Sequence, residues 1–414
     1  MNTSPRTTSA PPLLTLDEAL TRLFGALGPL RATEELSTFD ALGRVLAVDV
    51  SSTLDVPPAD NTSMDGYAMR AADVPVPGTV LPVSQRIPAG VVGAALAPGT
   101  AARIFTGAQV PAGADAVVMQ EQCTAEGNSV RVDTVPTAGQ WIRRRGEDVR
   151  TRSVVLPAGT RLGPQGLGMA ASVGVGVLQV ARRPRVALFS TGDELAMPGE
   201  VLKPGAIYNS NRYTLRGLVE SLGCACDDLG IVPDRLDATR AALRRAAEGN
   251  DLIVTCGGVS VGEEDHLKPA VQAEGRLDLW SIAIKPGKPL AFGEVRRCDG
   301  SSAWFIGLPG NPVSSFITFL LAVRPFLLRL QGATAVAPRP IVQRADFDWP
   351  RPDRRREFLR VRRNAQGGLD LYPNQSSGVL TSVVWADGLV DNPAGQAIKA
   401  GDPVGYLALA ELLA

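Results

Sequence analysis

Lys268, Lys285 and Lys288 lie within about twenty residues of one another, next to the run Gly257-Gly258-Val259-Ser260-Val261-Gly262 and within Lys285-Pro286-Gly287-Lys288-Pro289. The chain has only five lysines against thirty-seven arginines, so it uses Arg for nearly every other positive charge. An ammonium is a compact point charge with three rotatable donors, whereas a guanidinium is a planar fork. Lysines beside glycines suit a site where ammonium groups and backbone N–H groups approach phosphate oxygens together. A second set of residues has the opposite charge: Asp193, Glu194, Asp234, Glu263, Glu264 and Asp265. Two carboxylates about 4 Å apart repel by about 4 kcal/mol at an effective dielectric of 20. Acids that converge near phosphates therefore call for a divalent cation, and Mg²⁺ suits oxygen ligands. Glycine pairs also serve tight turns, and aspartates also cap helices, so neither set is specific by itself. A further polar run, Asp60-Asn61-Thr62-Ser63-Met64-Asp65-Gly66, lies far earlier, with Thr106-Gly107 and Gly146-Glu147-Asp148 beyond it.

Something must hold these groups. Val186-Ala187-Leu188-Phe189 and Leu252-Ile253-Val254-Thr255 read as buried strands, Ala303 to Ile306 as another, and Leu279 to Ile284 as a fourth. Helical patterns at Asn211 to Leu222 and Arg235 to Glu248 alternate with them. Asn311-Pro312 opens a long apolar helix, with Asn at the cap and Pro in the first turn. Strands alternating with helices imply a parallel, doubly wound α/β sheet. Ligands on such sheets sit at the carboxyl ends of the strands. Three loops leave those ends, at Ser190 to Glu194, Thr255 to Ser260 and Gly307 to Pro312, and together they predict one crevice. Gly257, Gly258 and Ser260 would form its anion cradle, with the positive N-terminus of the helix that begins near Asn311.

The rest of the chain divides around this unit. Residues 1–12 read as a disordered tail without a secretory apolar core. Thr15 and Glu18 are spaced as a capping box at a helix that opens near Thr15. Residues 57–146 are a β-rich insert, 183–331 the α/β domain, and 332–414 a C-terminal β domain. Formal net charge is zero, which argues against a protein that coats nucleic acid. Five cysteines without a Cys-x-x-Cys pair, and a single histidine, argue against a zinc site or a disulfide framework and suit a reducing cytoplasm. The apolar run Phe316 to Leu330 is interrupted by Arg324-Pro325 and is expected to be a buried helix, so no membrane is implied.

Six motifs occur in an order that resembles molybdopterin molybdenumtransferases of the MoeA type. They are Asp60 to Ala68, Arg103 to Gly107, Phe189 to Leu195, Gly257 to Gly262, Lys285 to Pro289 and Leu308 to Ser314. The plant molybdenum-insertase domain and the gephyrin E domain are similar. The resemblance implies an elongated discontinuous domain formed by residues 13–56 and 147–182, a β insert, an α/β molybdopterin-binding domain and a C-terminal β-barrel. It also implies a cytoplasmic homodimer with the active site between subunits, and a molybdopterin adenylyltransferase as donor. The implied reaction inserts molybdenum from molybdate into adenylylated molybdopterin with Mg²⁺, releasing AMP. Carried over by position, the catalytic residues would be Asp60, Thr106, Asp148, Glu194, Asp234, Asp265, Lys285 and Lys288. Asp60, Glu194, Asp234 and Asp265 would hold Mg²⁺. Asp193, Gly257, Gly258, Ser260, Lys268, Pro309 and Asn311 would contact substrate, and Arg360 and Ser377 the molybdate oxyanion. The segment Gln375-Ser376-Ser377-Gly378 departs from the Gln-Gly-Ser-His expected of the family. Two other readings compete: adenylylation of molybdopterin by the α/β domain, and a non-catalytic scaffold for a partner peptide.

Overall fold

A computed structural model describes residues 13–28, 32–258 and 266–413. The expected tail, and Ser260, Glu263, Glu264 and Asp265 of the site, lie outside the described residues.

The sheet that carries the crevice contains β1 (Arg185–Thr191), β2 (Ala225–Val232), β3 (Leu252–Cys256), β4 (Gly275–Ser281), β5 (Pro289–Arg296) and β6 (Ser302–Leu308), in the order β2-β1-β3-β6-β5-β4. The first four in that order run parallel, while β5 and β4 are antiparallel to their neighbours. The sheet is therefore mixed where a wholly parallel one was expected, and the single strand read at Leu279 to Ile284 is two pieces. The first piece is the end of the β4–β5 hairpin. The second, Ile284–Lys285, pairs with Arg356–Glu357 of the C-terminal domain.

Strand periodicity explains why both faces are covered. On β1, Val186 and Leu188 join a core with α1 (Ser210–Ser221) and the long helix α4 (Pro312–Leu330). Ala187 and Phe189 point the other way, onto α2 (Leu236–Ala247) and α3 (Leu267–Glu274). Each fully buried Val, Leu or Phe contributes about 1.5–3 kcal/mol, so the two layers stabilise the sheet from both sides. The α4 run is long and apolar enough to cross a membrane by length and composition, yet nearly all of it is buried. Its middle passes through a π turn at Phe319–Val323, just before Pro325, which has no N–H to continue the ladder. Arg324 is buried there and donates to the carbonyls of Val336 (3.0 Å) and Glu411 (3.2 Å).

The N-terminal helix Leu16–Gly25 has the expected capping box at Thr15 and Glu18. Its buried Leu16, Ala19 and Leu23 pack into the α/β core, and Leu14 exchanges backbone hydrogen bonds with Ser281 and Ala283. The 13–56 segment thus splits, because this helix leaves the elongated unit and covers the sheet. The remainder pairs Thr33–Ser37 with Val177–Ala181 and Val50–Ser51 with Val154–Leu156, bridging the interruption in sequence. The interruption holds a six-stranded sheet between residues 66 and 132. The C-terminal strands Ile341–Ala345, Arg356–Arg363, Gly368–Leu371, Gly388–Asn392 and Pro403–Ala408 close on themselves as a five-stranded barrel.

Candidate functional site

The carboxyl ends of β1, β3 and β6 open into a cavity of about 520 Å³. Ser190, Thr191 and Glu194 line one wall, Asn209 to Asn211 at the start of α1 a second, and Gly257, Gly310 and Asn311 a third. A cavity of similar size, about 500 Å³, lies at the opposite ends of the strands between Arg182, Asp251 and Trp304. We place the chemistry in the first, because strand-end loops of an open α/β sheet converge at the carboxyl side. Backbone conformation shapes this wall. Gly257 and Gly258 take φ of +95° and +65°, a region open to glycine and strained for other residues. Buried Cys256 ties the loops together: its Sγ lies 2.9 Å from Asn211 Nδ2, 3.3 Å from the Pro309 carbonyl and 3.3 Å from Ser315 Oγ. Asn211 Nδ2 also donates to the Gly310 carbonyl at 2.7 Å. Asn311 stands at the N-cap of α4 as expected, but its side chain makes no capping bond.

Acids gather at the rim. Asp193 and Glu194 are exposed on the loop after β1, and the Asp234 N–H donates to Asp193 Oδ1 at 3.2 Å. Among the described residues of one chain, no three metal-ligating side chains converge, so these residues alone do not complete an Mg²⁺ site.

The C-terminal barrel reaches this region by two routes. Ser377 contributes its backbone carbonyl, which accepts from Val313 N–H (3.0 Å) in the first turn of α4. Lys285, expected to hold phosphate, instead pairs with Glu357 (3.2 Å) and Asp353 (3.4 Å) of the barrel. Lys288 is exposed and has no ion pair among the described residues. Lys268 is half-buried near the start of α3.

Arg360, expected to contact the molybdate oxyanion, is 1% exposed. Alternation along its strand turns Leu359 and Val361 into the barrel, while Phe358 joins the α/β core on the other face. Arg360 shares the Phe358 face, so its guanidinium is buried between barrel and α/β domain. Its Nη2 donates to the Ser376 carbonyl (3.3 Å), Nε to Ser382 Oγ (3.2 Å) and Nη1 to the Phe358 carbonyl (3.3 Å). No carboxylate balances it among the described residues, and burial pushes its pKa down to about 10.

A second polar constellation lies in the elongated domain and insert. Both Asp60 carboxylate oxygens are taken, Oδ2 by Arg144 (2.7 Å) and Oδ1 by the Arg145 N–H (2.8 Å). The Arg145 N–H and the Arg144 guanidinium hold its pKa below the usual range. Thr106 donates through N–H and Oγ1 to Asp65 Oδ1 (2.7 and 2.6 Å). Asp55 accepts from Thr151 N–H (2.8 Å) and Arg145 Nε (2.6 Å), and Asp148 is exposed beside them. Asp55, Arg144 and Thr151 belong to this network and were not singled out from the sequence, whereas Asp65 lay within the polar run read there. The density of polar residues from Asp60 to Gly66 signalled Asp65 alone. Among the described residues, no hydrogen bond or ion pair joins this constellation to the strand-end cavity.

These carboxylates give a pH expectation. The Thr151 N–H, the Arg145 guanidinium and the Thr151 hydroxyl lower the Asp55 pKa from 3.8 to about 2. Its contribution to stability is complete above 3.8 and is lost as pH falls toward 2. A carbon-detected NMR titration should place the Asp55 midpoint near 2, with the Thr151 amide signal moving in step. A midpoint near 3.8 would remove this network from the folded state.

Comparison with known proteins agrees with the fold. A family profile described as the MoeA N-terminal region (domain I and II) matches residues 14–174. A probable molybdopterin binding domain matches 187–329, and the MoeA C-terminal region (domain IV) matches 343–409. The chain is 41% identical over 321 residues to a molybdopterin molybdenumtransferase of Haemophilus influenzae, covering 77% of this chain and 78% of that protein. It is 38% identical over 367 residues to molybdopterin molybdenumtransferase 2 of Mycobacterium tuberculosis, covering 85% and 89%. A crystal structure of the molybdopterin biosynthesis MoeA protein from Pyrococcus horikoshii superposes with a TM-score of 0.82 at 29% identity, covering 96% of this chain and all of that one. Matched along nearly its whole length by profiles, relatives and fold alike, the chain belongs to the MoeA family of molybdopterin molybdenumtransferases.

Proposed function

We propose that this enzyme of molybdenum cofactor biosynthesis takes adenylylated molybdopterin and molybdate, releases AMP, and leaves the metal on the dithiolene. The observation that carries the reading is Arg360, a buried cation with no counter-charge among the described residues, hydrogen-bonded to the Ser376 carbonyl under a loop seated on the first turn of α4. A small oxyanion entering between barrel and crevice would supply the missing negative charge. The exposed ammonium of Lys288 is available to stabilise charge on phosphate oxygens, whereas Lys285 is shared with Glu357 and Asp353.

Mg²⁺ dependence belongs to the same proposal. Asp193, Glu194 and Asp234 supply hard oxygen donors at the rim. A complete set would add Asp265, and Asp60 of a second subunit would have to be released from Arg144. The separation of the Asp60 constellation from the cavity supports a homodimer with the site between subunits. So do the exposed apolar residues Phe39 and Val177 on the elongated domain. A cytoplasmic location and a molybdopterin adenylyltransferase as donor complete the proposal.

The test mixes purified protein, adenylylated molybdopterin, Mg²⁺ and molybdate, and follows AMP release together with reconstitution of an apo-molybdoenzyme. Molybdate-dependent AMP release with active reconstituted enzyme is expected. Binding of the adenylate without release under any condition would favour the scaffold reading. In the same assay Lys288→Arg should fall roughly tenfold, because a fork does not replace a point charge. Unchanged turnover in that variant would remove the special role of the ammonium.

A further inference from the structure

Strand β2 carries one residue more than its neighbour needs. Leu188 of β1 stands opposite Asp228, but the next residue, Phe189, stands opposite Gly230, so Leu229 is the extra residue of a β-bulge. Packing records the same insertion. Leu229 and Val232 lie three apart yet both pack into the layer formed with α2 and α3, which strict alternation forbids. Gly230 completes the bulge at φ +79°, a conformation that glycine adopts without strain. The bulge has a consequence at the rim of the crevice. Beyond it Thr191, the last residue of β1, pairs with Val232, the last of β2. Asp193 and Asp234 each follow two residues later, so the two acids leave the sheet level with one another. The Asp234 N–H then reaches Asp193 Oδ1 at 3.2 Å. In an unbulged strand Ile231 would stand opposite Thr191, and Asp234 would lie about 3.3 Å farther along.

A clamp outside the cavity holds the bulge. Arg212, in the first turn of α1, donates through Nε to both carboxylate oxygens of Asp228, at 2.9 and 2.8 Å. Asp228 Oδ1 also accepts the Gly230 N–H at 3.0 Å, which closes the bulge on itself. The guanidinium lies against Gly230, where a Cβ would be 3.7 Å from Arg212 Nη1. The same Nη1 lies 3.1 Å from Met197 Sδ, three residues after Glu194. The Arg212 and Asp228 side chains are 22% and 11% exposed, and neither lines the strand-end cavity. One ion pair thus joins the first turn of α1, the strand that leads to Asp234 and the loop that carries Glu194.

We propose that Asp228 and Arg212 are positioning residues for cleavage of the adenylate. They fix the bulge that sets Asp234 beside Asp193, and through Met197 they steady the loop of Glu194. This rests on the reading of Asp234 as a catalytic acid. Opening the clamp lets the bulge relax and moves Asp234, while the walls that retain the substrate stay in place.

The test compares full-length wild type with Asp228→Ala, Asp228→Asn, Arg212→Met, Asp234→Ala and the double variant Asp228→Ala/Asp234→Ala. Retention of adenylylated molybdopterin is measured by pterin fluorescence after oxidation. AMP release with Mg²⁺ and molybdate is followed in single turnovers. Asp228→Ala should release AMP about tenfold to a hundredfold more slowly, as expected of a displacement near 1 Å, with retention within about twofold of wild type. Asp228→Asn keeps an acceptor for the Gly230 N–H and should recover most of the rate. Arg212→Met opens the clamp from the other side and should show the same split, which decides the question if Asp228→Ala does not fold. In the Asp234→Ala background, Asp228→Ala should cost no more than about twofold, because residues that act through one another are not additive. Equal losses in both backgrounds would overturn the inference, as would unchanged release in the clamp variants. A loss of retention as large as the loss of release would reduce the clamp to a support of the sheet edge and overturn it too. That comparison decides alone if Asp234→Ala releases too little AMP to measure. Wild-type release by Asp234→Ala would instead defeat the catalytic reading of Asp234.

Discussion

Replacing Arg360 with Met should lower molybdate-dependent turnover by about a hundredfold or more while leaving the fold intact. Losing one partner of a buried, charge-assisted contact costs about 2–5 kcal/mol, and each 1.36 kcal/mol is tenfold in rate. Stability should respond differently. Burial lowers the Arg360 pKa to about 10, so the folded protein carries the cation at neutral pH at a penalty of roughly 3 kcal/mol. That penalty is constant below pH 10 and is relieved as pH rises above 10, where the folded state gives up its proton first. Met keeps the apolar stem and removes the charge, and such replacements of buried ions are often neutral or stabilising. Molybdate should therefore raise the unfolding temperature of the wild type and leave that of Arg360→Met unmoved. If molybdate stabilises both proteins equally, the oxyanion is not held at Arg360.

Glu357→Ala should destabilise the barrel by roughly 3–5 kcal/mol. Glu357 is 1% exposed, and its Oε2 accepts from Trp349 Nε1 (2.8 Å) and the Asp353 N–H (3.0 Å). Oε1 takes Lys285 Nζ at 3.2 Å. Removing the carboxylate strands two part-buried N–H donors, each worth about 1–3 kcal/mol. The Lys285 side chain is 40% exposed, so solvent screens that arm and it contributes little to the loss. Glu357→Gln retains one carbonyl oxygen and should lose about half as much. Urea unfolding followed by tryptophan fluorescence separates the two variants, and a midpoint for Glu357→Ala within error of wild type would contradict the assignment.

Much of the fold could be read because burial imposes a pattern on sequence. Val186 to Phe189 and Leu252 to Thr255 are apolar on both faces, as strands covered by helices on two sides must be. The direction of β4 and β5 could not be read the same way, since parallel and antiparallel strands share one side-chain period. The helix Leu16–Gly25 shows its cap and its apolar stripe, but neither says which domain receives the stripe. Within the site, the strand-end loops put Glu194, Gly257 and Asn311 at one crevice. Burial of Arg360 was not legible, because Arg in an alternating strand normally marks the solvent face.

The two-residue strand Ile284–Lys285 belongs to the α/β half by sequence and to the barrel sheet by hydrogen bonding. The boundary at which a gene could be cut is therefore not a boundary at which the protein would come apart. A chain truncated near residue 332 would keep this strand but lose the Arg356–Glu357 edge it pairs with. A barrel grafted from a relative would have to match that register, as well as the pairing of Lys285 with Asp353 and Glu357, before it could seat. Exchange of the terminal module between relatives is thus constrained by a dipeptide nearly fifty residues upstream of the apparent junction.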